Sequence, residues 1–197
     1  MSYFDYNTAE KQQGSLIPEG SIVPLQLKIR PKGASFAGMG PNDAGLFKET
    51  NDGTAYMIDV EYTVLGGEFA KRPGWEMICA KGNGSEGHNV WENIARTKIR
   101  AILESSRNID PKDDGPEAMA KRQIQGFMDL QGISFTAIVG IESQEGYDDK
   151  NTFKPVTPDM DGYRQAPEGA PIATVAPAAQ VAAQTQTATA AAGMGDW

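Results

Sequence analysis

Segments in which apolar and polar residues alternate constrain the fold of this chain more than any other feature. The first, residues 22–30, has polar Gln26, Lys28 and Arg30 between its apolar positions. Since successive side chains of a strand point to opposite faces, the segment is predicted to be a half-buried strand with a cationic outer face. Pro24 indicates either an edge strand or a strand beginning. The apolar positions are Val23, Leu25, Leu27 and Ile29.

Further strands are predicted on both sides of the middle of the chain. Residues 55–65 and 133–142 alternate in the same way, and residues 69–80 follow the first of them after a Gly66-Gly67 turn. Two strands joined by a short glycine-containing link are typical of a hairpin. A last strand is predicted from Asn151 to Val156, after turn residues at Gly146 and Asp148.

Residues 89–106 form the clearest predicted helix, because their apolar residues recur at helical spacing. A short second helix is predicted from Pro116, since proline is favoured at a helix start and Glu117 suits the first turn. The expected fold is therefore mainly β: a five-stranded β-barrel similar to the OB fold, with one or two inserted helices. A generic α+β sandwich is the alternative. The apolar stripe of the helix is Trp91, Ile94, Ala95, Ile99, Ile102 and Leu103.

The chain is predicted to consist of one domain, residues 1–165, and a tail, residues 166–197. The tail is rich in Ala, Gln, Thr and Pro, and such a composition buries too little apolar surface to offset the entropy of ordering it. We therefore expect it to be disordered. It ends in Asp196 and Trp197, an acidic and aromatic tip that suits a basic, apolar-floored pocket on a partner protein. The alternative is a tail that only solubilises the domain.

Charge and rare residues exclude several functions. Residues 1–165 hold all 18 Lys and Arg residues and 24 of the 26 acidic residues, a net charge of −6, so nucleic-acid binding would need a local basic groove. Cys79 is the only cysteine and His88 the only histidine, which leaves no disulfide and no Cys/His metal cluster. We expect no enzyme activity, no metal and no cofactor. No signal segment or membrane span is evident, which favours a cytoplasmic protein.

Single-stranded nucleic acid is bound by cations that follow phosphates and by aromatic faces that stack on bases. The long, glycine-rich loop of residues 31–54 is predicted to be mobile and functional, because loops of this length are otherwise uncommon. The same residues also have structural interpretations. The cations of the first strand would then form only a solvated face, Trp75 would belong to the core, and Phe47 would pin the loop to the barrel. The candidate nucleic-acid-binding residues are Lys28, Arg30, Lys32, Phe36, Phe47, Lys48, Lys71, Arg72 and Trp75.

Several blocks of the sequence resemble a domain-of-unknown-function family encoded by tailed phages and prophages. These are residues 91–93, 98–105 and 108–111, then 126–132 and 146–151, with residues 4–9 and 17–20 matching the family's beginning. The resemblance covers most of residues 1–165. It implies a place among phage replication and recombination proteins, some of which behave as OB-fold single-stranded DNA-binding proteins.

The residues and the resemblance together predict a phage-type single-stranded DNA-binding protein in the bacterial host cytoplasm. It would coat single strands during replication or recombination and recruit partner proteins through Asp196 and Trp197. The alternatives are an adaptor that binds only proteins and a virion-associated component. A homo-oligomer is compatible with each of these functions.

Overall fold

The computed structural model describes residues 16–82 and 86–172. The predicted recruitment tip, Asp196 and Trp197, lies outside these residues, as do residues 4–9 and the His88 side chain. The strands are β1 (Ile22–Ile29), β2 (Lys48–Glu49), β3 (Ala55–Val64), β4 (Pro73–Gly82), β5 (Ser134–Glu142) and β6 (Lys150–Pro155). The helices are α1 (Glu86–Arg107), α2 (Pro116–Lys121) and a 3₁₀ helix (Phe127–Leu130).

The strands form one six-stranded antiparallel sheet, which confirms the mainly β prediction. The five longer strands follow the order β4-β3-β1-β5-β6, and β2 pairs with the part of β3 that lies beyond β1. β1 is therefore a central strand, so an edge position for Pro24 is wrong. Pro24 is the third residue of β1, next to Leu25, where the pairing with β3 begins.

The two ends of this strand order approach each other. β4 and β6 are in contact, although no strand pairing joins them among the described residues. They pack tightly at Gly74, where an added Cβ atom would lie 2.2 Å from a ring carbon of Phe153. Glycine at this position therefore lets β6 pack against β4.

The core lies on the sheet face that the alternation predicted to be apolar. Tyr62 is fully buried, and its ring packs edge-on against Phe135 at 5.8 Å and Phe153 at 5.5 Å. α1 covers this core by packing against β4 and β5. The alternating residues of the first strand are all buried, namely Val23, Leu25, Leu27 and Ile29.

The apolar stripe of α1 is only partly covered by the rest of the domain. Residues from the second half of the helix are buried, whereas Trp91 and Ile94 are 48% and 62% exposed. The first turns contact the end of β4, where the N–H of Gly82 donates a hydrogen bond of 3.0 Å to Glu92, but this contact leaves Trp91 and Ile94 partly exposed. The buried members of the stripe are Ala95, Ile99, Ile102 and Leu103.

The loop of residues 31–54 is anchored at its centre by Asp43, which is fully buried. The carboxylate of Asp43 accepts hydrogen bonds from the backbone N–H groups of Gly40, Phe127 and Met128 at 3.1, 2.9 and 2.9 Å. Gly40 and Gly126 pack so closely that a Cβ on Gly40 would lie 2.5 Å from the Cα of Gly126. The loop predicted to be mobile is therefore tied to the 3₁₀ helix.

The segment after β6 folds back across the sheet, beyond the predicted domain end at residue 165. Gln26 donates a hydrogen bond to the backbone oxygen of Ala170 at 2.8 Å, and the N–H of Gly169 donates to Ser134 Oγ at 3.1 Å. Tyr163 donates to the backbone oxygen of Ser105 at 2.9 Å. The first residues assigned to the tail thus belong to the folded domain.

Candidate nucleic-acid interface

Strand register places several predicted site residues side by side on the outer face of β1, β3 and β4. Lys28 pairs with Glu61, and Glu61 pairs with Trp75, which gives one row across three strands. Directly paired residues of a sheet share a face. Asp59 and Met77 form the next row, and Lys48 pairs with Met57 one step further. The structure therefore brings Lys28, Lys48 and Trp75 to one surface, which we call the outer face.

Arg30 and Lys32 lie at the same face and both bind Asp59. Arg30 Nε and Nη2 donate hydrogen bonds of 3.0 and 2.7 Å to Oδ1, and Nη2 donates a third of 2.8 Å to Oδ2. Lys32 Nζ lies 2.7 Å from Oδ2. Burial raises the pKa of the Asp59 carboxyl group, but the hydrogen bonds and charges of Lys32 and Arg30 outweigh this effect and lower the pKa below its usual 3.8. The carboxylate therefore stays ionised.

The third cation of the predicted set is also paired. Lys28 Nζ lies 3.5 Å from Glu61 Oε1, and the Lys28 side chain is 44% exposed. Three cations thus face two carboxylates, which leaves this part of the outer face with a net charge of about +1. Sequence reasoning missed Asp59 and Glu61. The signal was available, because both occupy the polar positions of the alternating strand β3.

Trp75 is the most open ring among the predicted site residues, with 53% of its surface exposed. Along the chain it follows the β3–β4 turn, where Lys71 is exposed and has a left-handed backbone with φ of 70°. The guanidinium of Arg72 lies 5.1 Å from the centre of the Phe69 ring. Lys71 and Arg72 thus precede Trp75 along the chain, while across the sheet Glu61 lies between Trp75 and Lys28.

A groove of about 420 Å³ opens beside Trp75. It runs between β4 and β6 and continues to the Arg30–Asp59 pair. Lys150 contributes a second cation and lies 3.3 Å from Glu142, while Asn151 is fixed by mutual hydrogen bonds of 2.8 Å with the backbone of Ile17. The groove is lined by Arg30, Asp59, Trp75, Glu76, Met77, Glu142, Lys150, Asn151, Thr152 and Phe153.

The two phenylalanines of the loop belong to the packing of the domain. Phe47 is fully buried, so this structure offers no face of its ring for the predicted stacking on a base, and its position favours the alternative that it pins the loop. Its ring contacts Phe127 edge-on at 5.7 Å and Phe36 at 4.6 Å. Phe36 is half-buried, with Tyr56 at 5.0 Å on one side and the ammonium of Lys81 at 5.3 Å. Both rings are therefore less exposed to solvent than the ring of Trp75.

The buried titratable groups of the described residues have structural partners. Tyr62 donates a hydrogen bond of 3.0 Å to Glu76, which also accepts one of 2.6 Å from Lys98. Burial, followed by the charge of Glu76, raises the pKa of Tyr62 well above its usual value. Burial likewise raises the pKa of the Cys79 thiol, which disfavours the reactive thiolate.

Two kinds of feature are absent from residues 16–82 and 86–172. No group of three His, Cys, Asp or Glu side chains is placed to hold a metal ion there. In the same residues, no helix combines the length and apolar character needed to cross a membrane.

No protein-family model matches the chain, and no curated protein is significantly similar in sequence. The resemblance to the phage and prophage family therefore stays a prediction.

Proposed function

We propose that this protein binds single-stranded DNA along the outer face and the groove between β4 and β6. The observation that carries the proposal is the position of Trp75. Its ring is half-exposed at the edge of the groove, in a row with Lys28 and within a few residues of Lys71 and Arg72. A stacking ring flanked by cations is the arrangement that binds single strands without requiring a particular sequence.

We also propose that the sheet is a small OB-like barrel, open between β4 and β6. Five long antiparallel strands, a helix between the third and fourth of them, and contact between the terminal strands β4 and β6 support this assignment. Barrels of this class bind oligonucleotides on one face between two loops. The corresponding loops here are residues 30–54 and 143–149.

The paired cations define the kind of binding expected. To bind a phosphate, Arg30 and Lys32 must either give up their ion pairs with Asp59 or bind the phosphate while these ion pairs persist. Each phosphate contact should therefore contribute less binding free energy than a contact with an unpaired cation. Affinity should therefore depend more on stacking at Trp75 than on charge. A plot of the logarithm of the association constant against the logarithm of salt concentration falls by roughly 0.7 for each phosphate neutralised. We expect few phosphates to be neutralised here, so the affinity should depend only weakly on salt.

The biological setting is proposed from the sequence. We place the protein among phage replication and recombination proteins of the bacterial host cytoplasm, with Asp196 and Trp197 recruiting partner proteins. The second candidate is an adaptor that acts only through protein contacts, which the exposed apolar residues at the start of α1 favour.

The test is a titration of a short, labelled oligothymidine and of a duplex of equal length, followed by fluorescence anisotropy. We expect binding to the single strand in clear preference to the duplex. Trp75→Ala should weaken binding by about 1–3 kcal/mol if one base stacks on the ring. Trp91→Ala is the matched control, because Trp91 is a similarly exposed tryptophan outside this groove.

Two results would contradict the proposal. Equal affinity for single-stranded and duplex DNA would remove the single-strand preference. An equal effect of Trp75→Ala and Trp91→Ala on oligothymidine binding would remove the groove as the binding site.

A further inference from the structure

The segment of residues 164–172, which we call the strap, lies over the part of the sheet surface that β1 and β5 form. Gln26 Nε2 donates a hydrogen bond of 2.8 Å to the backbone oxygen of Ala170, and the N–H of Gly169 donates one of 3.1 Å to Ser134 Oγ. Gln26 is buried beneath these contacts, although its side chain belongs to the outer face.

The surface under the strap continues directly into the row that contains Trp75. Gln26 and Lys28 are two residues apart on β1, so they share a face and lie about 7 Å apart along the strand. Gln26 pairs with Ser134 of β5, while the row of Lys28 leads across β3 to Trp75. A single strand of DNA that passes Trp75 and Lys28 toward β5 therefore meets the strap at Gln26.

The side chains beneath the strap include two hydrogen-bond donors suited to phosphate. The amide of Gln26 and the hydroxyl of Thr136 both donate to carbonyl oxygens of the strap, those of Ala170 and Arg164. Phosphate oxygens accept hydrogen bonds from glutamine and threonine side chains in the same way. The strap thus satisfies with its backbone the donors that a bound strand can satisfy with its phosphates.

The strap is held by polar contacts of its backbone more than by apolar packing. None of residues 164–172 is buried, whereas the chain just before them is fixed where Tyr163 donates a hydrogen bond of 2.9 Å to the backbone oxygen of Ser105. Segments with few buried apolar contacts open at a low cost in free energy. The strap can therefore open from a fixed point at Tyr163 while the sheet stays folded.

We propose that the strap is an autoinhibitory lid, which covers the β1–β5 part of the outer face until a long single strand displaces it. The inference rests on the proposed function. A short strand that occupies only the groove and the row of Trp75 leaves the strap in place. A longer strand must open the strap to reach Gln26 and Thr136, and the cost of opening lowers its affinity.

The experiment compares oligothymidines of about 4 and about 16 nucleotides, the range of site sizes for one OB fold, on the full chain by fluorescence anisotropy. Gly169→Val should release the strap, because a Cβ at this position would lie 2.1 Å from Gln26 Nε2. We expect it to bind the longer strand about tenfold more tightly, equivalent to one or two net hydrogen bonds, and the shorter strand unchanged. Ala170→Val is the matched control, since it adds bulk at the neighbouring, exposed position.

Backbone hydrogen exchange of the unchanged protein measures the opening directly and does not depend on how a variant folds. Exchange of residues 164–172 should become faster when the longer oligothymidine binds and should stay the same with the shorter one. If the longer strand binds without this change, or if Gly169→Val binds it no more tightly than Ala170→Val, the proposal is overturned while the proposed function stands. If neither oligothymidine binds the unchanged protein or Gly169→Val, both are overturned.

Discussion

Arg30 and Asp59 join β1 to β3 through three hydrogen bonds, and Lys32 binds the same carboxylate. The strand face that looks cationic in the sequence is therefore close to neutral in the folded protein. Asp59 thereby controls how much positive charge this face offers to a phosphate backbone.

Replacing Asp59 by asparagine should strengthen the binding of single-stranded DNA. The substitution releases Arg30 and Lys32 from a carboxylate at nearly constant shape, so both can contact phosphates. The log-log salt slope should become steeper by roughly 0.7 for each phosphate gained. Glu117→Gln removes the same charge from an exposed site on α2 and is the control. If both variants bind an oligothymidine alike, Asp59 does not regulate the interface.

Asp59 should also contribute to the dependence of stability on pH. Its pKa is lowered in the folded state, so its contribution is present above the unfolded value of 3.8 and is lost as pH falls through the lower folded pKa. The free energy of unfolding of the unchanged protein should exceed that of Asp59→Asn at neutral pH. The difference should shrink as pH falls below 3.8. Urea unfolding of both proteins at several pH values measures this difference in the free energy of unfolding. A difference that does not change with pH would show that Asp59 does not contribute to the pH dependence of stability.

Asp43→Ala should strongly destabilise the domain. The buried carboxylate accepts backbone hydrogen bonds from Gly40, Phe127 and Met128, and its removal leaves these donors without an acceptor. We expect the free energy of unfolding to fall by about 3 kcal/mol. Asp43→Asn should cost less, because one carbonyl oxygen remains. Asp148→Ala, at an exposed loop position, should leave the urea midpoint unchanged.

Truncation should reveal where the folded domain ends. A chain that ends at residue 172 keeps the contacts of Gly169 and Ala170 with Ser134 and Gln26 and should unfold as the full chain does. A chain that ends at residue 165 loses them. Because Gln26 is only 8% exposed, the loss should cost about 1–3 kcal/mol. Equal urea midpoints of the two truncated chains would place the boundary at 165 after all.

The sequence by itself determined most of the elements of this protein, but not the short strand β2 or the 3₁₀ helix. Period-two alternation located β1, β3 and β5, a glycine pair located the β3–β4 turn, and helical spacing located α1. These signals are local, because the direction of each side chain follows from the geometry of its own strand or helix. They also assigned the four apolar positions of β1 to the buried face correctly, although Gln26, assigned to the outer face, is buried as well.

The tertiary structure decided which residues meet. Strand register set Asp59 and Glu61 against the cations of β1, and the packing of the loop buried Phe47 under Phe127. The packing of α1 on the sheet left Trp91 and Ile94 of its apolar stripe partly exposed. Each outcome depends on partners distant in the chain. A pattern within one element states which face is apolar but cannot state what, if anything, covers it.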